Sequence, residues 1–231
     1  MPYRRLPNTD SARIKALRIA IDKCSNTDYN DVVISMKTLH KAKSAIGKFE
    51  RMCEIYKQTF ETQIKANKTF QKQIKNARMY LSHFIQVLHL SVIRNEIKQD
   101  NLALYGLEES NMLVPDLLTN EMLLEWGQKI IAGEEKRIVQ GGVPIYNPTI
   151  AKVKVMFTIF KDGYNIQQIH QKATSRTQTN VVDFRPEIDA IILELWEQVE
   201  EANMELPSKK KIDKNKEYGI VYYYRKGETI E

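Results

Sequence analysis

Apolar residues return at every seventh position through Val32, Leu39, Ile46, Cys53 and Phe60 and, after a polar Asn67, at Ile74, Leu81 and Leu88. A second series, three residues behind the first, runs Ser35, Ala42, Phe49, Tyr56, Gln63, Phe70, Ala77, Phe84 and Ser91. This alternation of three and four keeps one helix face turned toward a partner, so it predicts long helices packed side by side. Only the isolated Gly47 interrupts the stretch from Asp31 to about Glu96, and no proline does. Read as a single helix, that stretch would run about 95 Å at 1.5 Å per residue. Such a length is too great for a compact domain, so a helix-helix turn is expected between Ala66 and Ala77, where the seam residue is Asn67, with one uninterrupted rod as the alternative.

Shorter elements flank the seam. Asn8-Thr9-Asp10 is a helix start, followed by Ile14, Leu17, Ile21 and Cys24 at helical spacing and closed by Ser25-Asn26-Thr27-Asp28. Asn120 is placed to cap a helix over 121–140 with Leu124, Ile130, Ile131 and Ile138 on its apolar side, and Gly141-Gly142 ends it. Asn147-Pro148 then starts another helix. The run Lys209-Lys210-Lys211-Ile212-Asp213-Lys214-Asn215-Lys216 reads as a basic linker. Tyr218 to Tyr224 reads as a strand finishing in Arg225-Lys226-Gly227, with its pairing partner either the segment near Tyr105 or the N-terminal arm.

The chain also compares with itself. Setting Arg78 against Arg185 pairs Leu81 with Ile188, Phe84 with Ile191, Ile85 with Ile192, Leu88 with Leu195 and Val92 with Val199. Downstream, Leu104-Tyr105-Gly106-Leu107 meets Glu217-Tyr218-Gly219-Ile220. This points to a duplicated unit of two helices and a Tyr-Gly-aliphatic segment. In the second copy the joint between helices is expected within 175–186, with Pro186 in a first helical turn. The fold class is therefore all-α: an up-down helical bundle with a duplicated helical hairpin and a short C-terminal β element, its units at 1–110 and 111–231 forming one continuous bundle.

Four blocks carry a resemblance: Ser82-His83-Phe84-Ile85-Gln86-Val87-Leu88, Leu104-Tyr105-Gly106-Leu107, Trp126-Gly127-Gln128-Lys129-Ile130-Ile131-Ala132-Gly133-Glu134 and Gly142-Val143-Pro144-Ile145-Tyr146-Asn147-Pro148. They resemble blocks of an uncharacterised family of bacterial helical proteins. The resemblance implies the bundle fold and brings no activity, ligand or catalytic residue with it.

Charge changes the picture more than overall composition does. The net charge of +6 divides into +10 over residues 1–100 and −4 over the remainder. Lys37, Arg51, Lys65 and Lys72 share one outer heptad position, whereas the stretch 187–205 carries Glu187, Asp189, Glu194, Glu197, Glu200, Glu201 and Glu205 without a basic residue. A basic and an acidic helix can lie side by side, within a chain or across a dimer, and neutralise each other. The two cysteines, Cys24 and Cys53, fall on apolar stripes and read as buried free thiols of a reducing compartment. No window reaches the length of a spanning helix and the N-terminus has no signal-type apolar region, so a cytoplasmic protein without membrane association is expected.

Catalytic patterns are missing where they would be looked for. A carboxylate-bridged di-metal bundle needs Glu-x-x-His pairs, yet no Asp or Glu stands three residues before His40, His83, His89 or His170. His83 and His89 are six apart and lie on different helix faces. Cys53 on the seam is poorly placed to ionise, and Ser82 and His83 point apart as sequence neighbours. There is no phosphate loop, dinucleotide glycine pattern or calcium loop, so neither catalytic nor metal nor cofactor residues are assigned. The expectation is a non-enzymatic interaction or scaffold protein that binds a protein partner or itself as a homodimer. Nucleic-acid binding is the alternative, through a face carrying Lys37, Arg51, Lys65, Lys72, Lys209, Lys210 and Lys211.

Overall fold

The computed structural model describes residues 3–28 and 31–224. In chain order they form β1 (Tyr3–Arg4), α1 (Asp10–Ser25), α2 (Met36–Ile93), a 3-10 helix (Gln99–Tyr105), α3 (Asn120–Val139), α4 (Ile150–Ala202), α5 (Ser208–Lys216) and β2 (Tyr222–Tyr223). The protein is mostly helical, and β1 pairs antiparallel with β2, Tyr3 opposite Tyr223 and Arg4 opposite Tyr222. The C-terminal strand thus takes the N-terminal arm as its partner. Its described extent is shorter than the aromatic run predicted, and Arg225-Lys226-Gly227 lies outside the described residues.

Two compact units make up the fold. One comprises Met1–Phe60 and Thr174–Glu231, the other Glu61–Ala173, so each draws on both sequence halves on either side of residue 110. The first unit packs Leu17, Phe49, Ile188, Ile191, Leu195 and Trp196 into its core; the second packs Leu81, Phe84, Leu88, Tyr105, Ile130 and Phe160. The heptad seam of α2 therefore serves two separate cores. It is buried at Leu39, Ala42 and Phe49 and again at Phe70, Ile74, Ala77, Leu81, Phe84 and Leu88, while no α2 residue between Phe49 and Phe70 is buried.

That division corrects the expected hairpin. α2 runs through Asn67 without a turn, because Asn67 is exposed and a solvated polar side chain puts no strain on a helix that contains neither Gly nor Pro nearby. α4 likewise continues through 175–186 with Pro186 inside it. Pro186 and Val182, whose carbonyl loses its amide partner, are both exposed, so water can satisfy that carbonyl. The basic segment after Pro207 is also helical, forming α5 rather than a linker.

Helix starts follow a repeated plan. Thr9 caps α1 by accepting from the Ala12 amide at 3.2 Å, and Thr119, rather than Asn120, caps α3 by accepting from the Met122 amide at 3.2 Å. Ser35 and Thr149 receive the amides of Thr38 and Lys152 in the same manner at the starts of α2 and α4. After each long helix comes a tyrosine, a glycine in the left-handed region and an aliphatic residue: Tyr105-Gly106-Leu107 with φ 71°, and Tyr218-Gly219-Ile220 with φ 82°. Both tyrosines and both aliphatic residues are buried. The aligned pairs from Leu81/Ile188 to Val92/Val199 are buried as well, one member in each core.

Candidate protein-docking face

Within the second unit, the first part of α4 has two apolar sides. Val153, Phe157 and Phe160 face the core, where Phe160 stacks on Phe70 at a centroid distance of 5.9 Å and an interplanar angle of 9°. Val155, Ile159, Ile166 and Ile169, spaced by four, seven and three residues, form a second stripe that is 51, 41, 51 and 64 % exposed. Asp162 is the one charge within this stripe. Lys161 and Lys172 stand on its flank, exposed and in no ion pair among the described residues, while Lys154 pairs with Glu135. Burial of the core side explains why α4 is held here; nothing in the second unit's own core needs the outer stripe to be apolar. The stripe thus sets four branched aliphatic side chains in solvent with cations beside them.

The basic residues expected to form a face are exposed except for the half-buried Lys211, and they stand in different settings. Lys37 and Arg51 belong to the first unit's part of α2, Lys65 and Lys72 to the second unit's part, and Lys209, Lys210 and Lys211 to α5. Arg51 donates to its own helix at the Gly47 carbonyl, 3.1 Å. None of the seven forms an ion pair among the described residues.

The acidic stretch of α4 is answered inside its own unit. Arg13 donates to both carboxylate oxygens of Asp189 at 2.7 and 2.9 Å, and Arg185 does the same to Asp10 at 2.8 Å each. These bidentate pairs fasten α1 to α4. Thr38 and Lys41 of α2 donate to Glu194 at 2.7 and 3.0 Å and hold its carboxyl below the ordinary range. Arg4 and Tyr222 converge on Glu200 at 3.0 and 2.6 Å, and burial together with that carboxylate pushes the Tyr222 phenol up to about 12. Asp189, Glu194, Glu197 and Glu200 of the acidic stretch thus meet cations of the same unit, whereas Glu187, Glu201 and Glu205 form no ion pair among the described residues.

Comparison with family models, with curated proteins and with solved structures finds no match.

One polar cluster escaped the sequence reading. Glu134 and Arg137 of α3 are buried, and Arg137 donates to Glu134 at 2.9 and 2.8 Å, to the Tyr105 hydroxyl at 2.9 Å and to the Val143 carbonyl at 2.8 Å. The Tyr105 hydroxyl donates to Glu134 as well, and the Ile145 amide adds a bond of 3.3 Å. Burial, reinforced by the neighbouring carboxylate, raises the Tyr105 phenol. The cluster ties α3 to the 3-10 helix and to the segment leading into α4. Its sequence signal was Glu134 and Arg137 standing four and seven residues after Ile130, on the apolar side of the helix.

Other groups considered for chemistry stand apart. His83 is exposed and His89 buried, on different faces of α2. Cys24 is buried and Cys53 half-buried, both free thiols whose ionisation burial disfavours. No group of three or more His, Cys, Asp or Glu suited to a metal ion occurs among the described residues. No helix of the described residues is long and apolar enough to cross a membrane.

Proposed function

We propose that the protein is a non-enzymatic interaction module, and that the outer face of α4 in the second unit takes an acidic amphipathic helix of a partner protein. The supporting observation is the exposed stripe of Val155, Ile159, Ile166 and Ile169 on a helix whose other side is already packed. A helix laid along it buries apolar surface worth about 25 cal/mol per Å². Lys161 and Lys172 favour an acidic occupant. A second copy of the chain would bring the same lysines into the contact, which makes self-association the less favoured form. Photocrosslinking from position 169 of the full chain inside cells tests the reading. A protein adduct that disappears on Ile159→Glu and Ile166→Glu is expected. An adduct to a second copy would replace the partner with a homodimer, and the absence of any protein adduct would overturn the proposal.

Nucleic acid is the second reading, favoured by six exposed cations, Lys37, Arg51, Lys65, Lys72, Lys209 and Lys210, and the half-buried Lys211, none of them in an ion pair among the described residues. Fluorescence-anisotropy titration with labelled single- and double-stranded nucleic acid at about 50 and about 200 mM salt decides it, since phosphate tracking weakens steeply over that range. Absence of binding at the lower salt would reduce the basic residues to a solvated face.

A further inference from the structure

The first unit contains an open pocket of about 420 Å³ along α1. It is lined by Ala12, Lys15, Ala16 and Ile19 of α1, by the arm from Arg5 to Thr9, and by Gly219 and Val221. Its size falls within the range of small-molecule sites, about 300–1,000 Å³. Arg5 and Lys15 form no ion pair among the described residues.

The second unit carries larger side chains at the matching positions of its own helix. Thr9 and Thr119 cap α1 and α3 through the same bond. A Cβ built on Gly219 would meet the Ile19 side chain at 3.3 Å, and one built on Gly106 would meet Lys129 at 3.4 Å. Both relations place each α1 residue opposite the α3 residue 110 positions later. Ala16 thus corresponds to Trp126, Ile19 to Lys129, Ala12 to Met122 and Lys15 to Glu125. On α3 the indole packs against the core, and the Lys129 ammonium lies 4.7 Å from its centroid. On α1 the matching position carries the methyl group of Ala16, and Lys15 replaces the acidic Glu125.

We infer that this pocket binds a small anionic amphiphile: a carboxylate or sulfonate carried on an apolar body about the size of an indole. The apolar body lies on Ala12, Ala16 and Ile19 as Trp126 lies on α3, and the anion meets Lys15 and Arg5 at the mouth. The site is independent of the α4 face, which belongs to the other unit.

Fluorescence of 8-anilinonaphthalene-1-sulfonate with the full chain, displaced by indole-3-propionate or by neutral 3-methylindole, tests the assignment. One site is expected, displaced better by the carboxylate than by the neutral indole. Lys15→Glu should weaken the anionic probe by about tenfold, the loss of one charge-assisted contact, and leave 3-methylindole unchanged. Ala16→Trp, which copies α3, should abolish binding. Should that buried substitution disturb folding by circular dichroism, Ala12→Met at the half-buried edge carries the same test. Retained binding in both Lys15→Glu and Ala12→Met, equal displacement by charged and neutral indoles, or loss of binding on Ile169→Glu would each overturn the inference.

Discussion

Gly133 of α3 lies so close to Tyr105 that a Cβ placed on it would sit 2.8 Å from the Tyr105 Cα. The neighbour is backbone, as is the Leu104 carbonyl oxygen at 2.8 Å, so neither can rotate away. Gly133→Ala is expected to destabilise by about 1–3 kcal/mol through overpacking. Gly47, with nothing within 4 Å of its would-be Cβ inside α2, is the contrasting case. Gly47→Ala should stabilise by about 0.5–1 kcal/mol. Urea denaturation of the two variants checks both signs.

Removing Arg137 leaves Glu134 as an uncompensated buried carboxylate. Arg137→Ala is expected to cost about 3–5 kcal/mol, the scale of a broken buried pair. Tyr105→Phe takes away one hydroxyl from the same cluster and should cost about 1–3 kcal/mol. Chemical denaturation of both variants, with the Arg137 effect the larger, tests whether the cluster is a structural tie.

Leu81 and Leu88 are both buried in the second core. Replacement of either by Ala is expected to cost about 2–5 kcal/mol, as cavity-forming truncations do. A change below about 0.5 kcal/mol at both positions, the size of an ordinary surface substitution, would contradict their place on the packed side of α2.

His89 is buried, and neither ring nitrogen has a hydrogen-bond partner. Burial lowers its affinity for a proton, and the nearby Met112 backbone offsets part of that shift without reaching hydrogen-bond geometry. The unfolded chain therefore binds a proton more readily than the folded one. The stability this group supports is complete above its unfolded value near pH 6.5 and falls as the pH drops from there toward the lowered folded value. Thermal melts between about pH 7 and about pH 5 should show a decline that His89→Phe flattens. An unchanged slope in that variant would assign the decline to other groups.

Much of this fold was legible at the level of residues and little of it at the level of their connection. The cap at Thr9, the burial of Leu39, Phe49, Leu81 and Leu88, and the matching Tyr-Gly segments all follow from local spacing. Asn67 and Pro186 have the local chemistry of a break, yet α2 and α4 run through them. Their exposure makes both tolerable, and exposure depends on which residues pack nearby. Segments of α2 and α4 that lie in different units carry the same heptad pattern, so periodicity alone could not assign a stretch to a core. The α4 stripe was hidden by a related ambiguity: Val155, Ile159, Ile166 and Ile169 look like core residues until Val153, Phe157 and Phe160 are seen to fill that role.

The division of α2 and α4 between units also bears on the order of assembly. The second unit is one uninterrupted run of sequence, Glu61–Ala173. The first waits for residues beyond Thr174 to meet an N-terminal segment made much earlier. During synthesis, which proceeds at about 5–20 residues per second, α1 and the beginning of α2 emerge long before Ile188, Ile191 and Trp196 exist to cover them. For that interval Leu17 and Phe49 are without the residues that cover them in the finished fold, and their apolar side chains are open to other contacts.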